Sequence, residues 1–81
     1  MYLYLGGNII IHEQDIVGIF DLDNTSESKW TRRLLSEADR EGRIVSSADE
    51  LPRSFVLSRT GLVYLSVLST ETLRQRVGAV V

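Results

Sequence analysis

Apolar positions alternate with polar ones early in the chain, switch to a helical period in its middle, then alternate again before a short helical ending. Tyr2 and Tyr4 alternate with Met1, Leu3 and Leu5, which predicts a strand over Met1–Leu5. Gly6-Gly7-Asn8 predicts a tight turn, because Gly and Asn tolerate positive φ. The β-branched run Ile9-Ile10-Ile11 starts a second strand, so residues 1–12 read as a hairpin. Glu13-Gln14-Asp15 is a polar turn. Ile16–Leu22 is a third strand, and Gly18 within it marks a bulge or a close backbone approach.

The period then changes. Asn24 as N-cap with Glu27 three residues on forms a capping-box pattern. A helix follows from Thr25 to Glu41, with Trp30, Leu34, Leu35 and Ala38 on one apolar face. Gly42 is the expected left-handed stop. Lys29, Arg32, Arg33, Glu37, Arg40 and Glu41 occupy the opposite face. Ile44-Val45 reads as a very short strand, and Ser46–Pro52 as a polar loop. Pro52 cannot donate to a ladder, so the next strand begins at or after Arg53. Ser54–Arg59 and Leu62–Leu68 flank Thr60-Gly61 as a second hairpin, whose loop is expected to exceed two residues because Thr suits a type I′ turn poorly. Ser69 or Thr70 caps a last helix, Glu71–Val77, with Leu73 and Val77 on one face.

The order β-β-β-α-(β)-β-β-α predicts an α+β fold built on a small, mostly antiparallel sheet. Two strands are apolar on both faces. Leu62, Tyr64 and Leu68 lie opposite Val63, Leu65 and Val67. Ile16, Phe20 and Leu22 lie opposite Val17 and Ile19. One long helix covers one face only. The other needs either the C-terminal helix or a second subunit, and the expectation is a subunit contact.

Composition narrows the function. Eighty-one residues make one domain, 1–81, with 43% hydrophobic and 25% charged residues, as a globular chain has. Without Cys, disulfides and thiolate-ligated zinc are excluded. A single His, His12, leaves no His cluster for a metal and little for a catalytic triad. Asp15, Asp21 and Asp23 do not match calcium-loop spacing. Gly6-Gly7 precedes a strand, whereas a phosphate-binding loop opens a helix. Nine Ser residues occur without a nucleophile-elbow motif. No enzyme, metal or cofactor is expected. No apolar run, Leu62–Leu65 among them, comes near the ~20 residues of a membrane span. A cytoplasmic protein with no membrane partner is expected.

Charge is unevenly spread. The net charge is −2, yet residues 1–28 carry five acidic residues and no Lys or Arg, and residues 51–81 carry four Arg against Glu71 alone. Eight of the nine basic residues are Arg, whose planar fork fits phosphate or carboxylate bidentately. Arg53, Arg59, Arg74 and Arg76 are the one constellation left. Arg74 and Arg76 do not share a helix face, and Arg53 and Arg59 bracket one strand.

The opening MYLYLG, the strand DIVGIFD and the ending YLSVLSTETLRQR resemble the small bacterial extracellular-matrix regulators of the RemA and RemB type. The similarity runs from about Met1 to Arg76. MYLYLG, Asp15–Asp21 and Pro52-Arg53-Ser54 look closest to the RemB branch. The resemblance implies a non-enzymatic, DNA-binding transcriptional regulator of biofilm-matrix genes that assembles into a homo-oligomeric ring with a basic rim. Repeated Arg contacts to the DNA backbone would suit that role. Arg53 carries over from the family's basic cluster, and Arg59, Arg32, Arg33 and Arg40 are further DNA-contacting candidates. The chain also departs from the RemA pattern. Glu50 and Leu51 stand where that pattern has an Arg pair, and Gln14, between Glu13 and Asp15, stands near a further basic position. These departures keep a second reading open: an interaction module of the same fold that binds a partner protein, such as a basic RemA-type paralogue, rather than DNA.

Overall fold

The computed structural model describes residues 2–22, 29–46 and 51–78. The predicted capping box at Asn24 and Glu27, the helix turns before Lys29, and Glu50 lie outside the described residues. Among the described residues, six strands and two helices follow in the predicted order. They are β1 (Tyr2–Gly6), β2 (Ile9–His12), β3 (Ile16–Asp21), α1 (Lys29–Arg40), β4 (Ile44–Val45), β5 (Ser54–Ser58), β6 (Val63–Ser66) and α2 (Thr70–Gly78). A 3-10 turn at Glu13–Asp15 joins β2 to β3.

The chain folds in three layers. The central sheet has the order β3-β5-β6-β4, antiparallel except where β4 pairs parallel with β6. β1 and β2 form a separate antiparallel hairpin with Tyr2 opposite His12 and Tyr4 opposite Ile10. Against one sheet face lies α1, where Leu34, Leu35 and Ala38 meet Phe55, Val63, Leu65 and Phe20. Against the other lie the hairpin and α2 together. Leu3, Leu5, Ile9 and Ile11 from the hairpin and Leu73 and Val77 from α2 close over Val56, Ile19 and Tyr64.

This arrangement corrects the expected subunit cover. Both sheet faces are covered from within the chain, because the N-terminal hairpin adds its inner face to that of the short C-terminal helix. Sequence alternation shows that β3 and β6 need two covers, and carries no sign of which elements supply them.

The predicted faces of β3 also change. The register slips between Ile16 and Gly18, and Ile16 joins Ile19 in the hairpin-side cluster instead of Phe20 and Leu22 on the helix side. Val17 is left largely exposed. Gly18 is required there because a Cβ would stand 2.8 Å from the Phe20 ring. On α1, Thr31 is buried in place of Trp30, which is 53% exposed and only leans on Phe20 at 5.4 Å between ring centroids.

β6 stops at Ser66, earlier than the apolar run predicts. The Ser66 hydroxyl donates to the Leu5 carbonyl at 2.6 Å and accepts from the Leu68 amide at 3.1 Å. The chain therefore bends out of the ladder at Ser66 and fastens the N-terminal hairpin to the sheet. Ser69 caps α2, accepting from the Thr72 amide at 3.2 Å.

Candidate nucleic-acid interface

Two elements position the sequence-predicted Arg residues. β5 carries Arg53 just before its first residue and Arg59 just after its last. Six residues at ~3.3 Å each put them roughly 20 Å apart, at opposite ends of the sheet. Arg53 is fixed through its backbone: its amide donates to the Ser66 carbonyl at 2.8 Å and its carbonyl accepts from Leu22 at 3.0 Å. Its side chain is exposed. Strand alternation places position 53 on the same face as Phe55 and Leu57, the face that packs against α1.

The helix brings the other candidates. At 100° per residue, Lys29, Arg33, Ser36 and Arg40 fall in one row opposite the buried positions Thr31 and Ala38. Arg32 lies to the side of that row, next to Asp39. Phe20 stacks on Phe55 at 4.9 Å and touches Trp30. The first turn of α1 therefore stands at the Arg53 end of the sheet. The last turn stands at the other end, where the Arg43 amide bonds to the Ala38 carbonyl at 2.8 Å and the Arg43 guanidinium to the Gly61 carbonyl at 2.6 Å. The structure thus groups Arg53 with Lys29, Arg32 and Arg33. It leaves Arg40 and Arg59 at the far end.

Arg59 is strapped to the acidic turn between β2 and β3. Its guanidinium lies 3.3 Å from the Asp15 carboxylate and 3.0 Å from the Gln14 carbonyl, and its amide donates to the Asp15 carbonyl at 2.7 Å. Arg43 pairs with Glu41 at 2.6 Å. Arg74 and Arg76 project from α2 in the opposite layer and donate to the carbonyls of Ile19 and Tyr4 at 3.3 and 3.1 Å.

Lys29 is the residue that the candidate set omits although its sequence position, four before Arg33, reveals it. His12 has a structural use: its Nδ1 accepts the Gln14 amide at 3.1 Å, which caps the 3-10 turn. Among the described residues, no group of three His, Asp or Glu side chains converges, no pocket opens, and no helix is long and apolar enough to cross a membrane.

Residues 3–77 match the RemA-like family model, described as extracellular matrix regulatory protein A-like. Extracellular matrix regulatory protein B of Bacillus subtilis strain 168 is 33% identical over 76 residues, which cover 94% of this chain and 89% of that protein. This chain belongs to the RemA-like family of extracellular matrix regulatory proteins, near its B member.

Proposed function

We propose that the protein is a non-enzymatic, DNA-binding transcriptional regulator of matrix genes that acts in the cytoplasm as a homo-oligomeric ring. The observation that carries the reading is the grouping of Arg53 with Lys29, Arg32 and Arg33 at one end of the sheet. The backbone bonds at Arg53 and the helix fix where these exposed side chains leave the chain, which suits repeated contacts to a phosphate backbone. Arg40 extends the row along α1. Asp15 already holds the fork of Arg59, which weakens what that residue can contribute. The resemblance to extracellular matrix regulatory protein B supplies the regulatory setting. In a ring, the few contacts of one subunit are multiplied around the assembly, so a net charge of −2 per chain does not oppose local binding. The test is the affinity of Arg53→Ala for several unrelated 30-bp duplexes across a salt series. Binding should weaken on all of them, and the slope of log K against log[salt] should fall by about 0.9 per contact removed. Unchanged affinity and slope would remove Arg53 from the interface.

A second reading, a module that binds a partner protein or a basic RemA-type paralogue, is favoured by the Arg59–Asp15 pair. That pair joins an acidic turn to the sheet where the RemA pattern has a basic residue. Co-purification with a RemA-type protein and no retention on DNA would select it.

A further inference from the structure

Trp30 stands at the cationic end of the molecule and takes no part in the phosphate contacts described above. It is the single Trp of the chain, and it is 53% exposed although Trp is highly buried on average. A series of aromatic rings leads to it from the core. Phe55 is fully buried, Phe20 stacks on Phe55 at 4.9 Å with 21° between the planes, and Trp30 tilts at 55° against Phe20 at 5.4 Å. Phe20 thus supports the indole from the core side, and the rest of the side chain is left to solvent.

We propose that Trp30 is a stacking platform for an unpaired base, so that the surface read above as a duplex contact also takes single-stranded DNA. The inference rests on the DNA reading and deepens it, by naming a further form of DNA that this surface fits.

Three observations select an unpaired base. The first is charge. Arg33, three residues on, neighbours Trp30 one turn along α1, and Lys29 lies beside Arg33 in the exposed row. Phosphates fit these cations, and a base has the flat face that fits an indole. A wholly apolar partner would instead desolvate Lys29 and Arg33 without a counter-charge. The second is where the acids stand among the described residues. Asp21 follows Phe20 on β3, and strand alternation sends it to the other sheet face. Glu37 is on the Trp30 side of α1 but two turns along, about 10 Å away. The third is shape. Bases stacked within a duplex offer only their edges to a side chain, so an indole finds a matching face where a base is unpaired.

The test uses the indole itself, whose emission a stacked base quenches. The whole protein is titrated with an oligo-dT strand of about 20 nucleotides and, separately, with the matching duplex. Affinities are read by anisotropy of labelled DNA, with circular dichroism and sedimentation velocity on each variant. The single strand should quench the Trp30 emission, and the duplex should not. Trp30→Leu keeps an apolar side chain at an exposed position, so the fold should persist. Its single-strand affinity should fall roughly fivefold to hundredfold, while duplex affinity changes by less than about twofold. Trp30→Phe should recover most of the loss, because it restores a ring to stack on. A purely structural role for Trp30 would move both forms of DNA alike. Unquenched emission with the single strand bound, or equal losses on both forms, overturns the proposal and leaves the duplex reading standing. A fall in assembled mass in Trp30→Leu assigns the indole to a contact between copies and also overturns it. No binding of either form overturns the proposal and the DNA reading together.

Discussion

Arg59 and Asp15, 44 residues apart, meet twice: guanidinium to carboxylate at 3.3 Å and amide to carbonyl at 2.7 Å. The backbone bond extends the β3–β5 pairing by one step, so it holds whatever the side chains do. The side-chain pair is largely solvated, with Arg59 65% and Asp15 42% exposed, and contributes only about 0–1 kcal/mol to stability. Its consequence is for binding. An acid beside Arg59 opposes any phosphate that approaches it.

Asp15→Asn should therefore leave the melting temperature within a few degrees of wild type and raise DNA affinity. The freed cation should steepen the salt slope by up to about 0.9. Lower affinity in Asp15→Asn would show that the pair orients Arg59 for DNA instead of masking it.

Ser66→Ala tests what fastens the hairpin layer. The substitution removes the donor to the Leu5 carbonyl and the acceptor for the Leu68 amide, in a residue only 2% exposed. Leaving buried polar groups unpaired costs about 1–3 kcal/mol. For a domain of this size the melting temperature should drop by roughly 4–8 °C per kcal/mol. Hydrogen exchange should quicken first in β1 and β2. A uniform change through the sheet would mean that the hairpin is not separately held.

Gly6→Ala probes the turn end of the same hairpin. Gly6 has φ of +101°, and an added Cβ would stand 3.1 Å from Val67 Cγ2. Backbone strain of this kind costs about 1–3 kcal/mol. Destabilisation in that range is expected from denaturant titration. Gly42→Ala also sits at positive φ, +70°, but meets nothing within 4 Å, so it should cost less.

The sequence discloses elements better than assembly. The Gly6-Gly7-Asn8 turn, the Gly18 irregularity and the short strand at Ile44-Val45 are local, and short-range chemistry dictates them. Strand order is different. That β3 pairs with β5, and that the hairpin shares a face with α2, depend on contacts between distant parts of the chain, such as Phe20 with Phe55 and Tyr4 with Arg76, which one sequence does not reveal. The slip at Gly18 turns Ile16 to the other face because a bulge breaks the two-residue period on which that assignment depends. The candidate site divides in the same way. Arg53, Arg32, Arg33 and Arg40 are readable as cations, and Lys29 is readable from helical spacing. The grouping of Arg53 with the first half of α1, and the loss of Arg59 to Asp15, follow only from the tertiary structure.

This sheet end and the α1 row are proposed to bind DNA backbone. Fluorescence anisotropy with a 30-bp duplex over a salt series tests it most directly. A slope of about −4 or steeper is predicted, as several subunits neutralise phosphates together. No binding even at low salt would contradict the account and leave the partner-protein reading in its place.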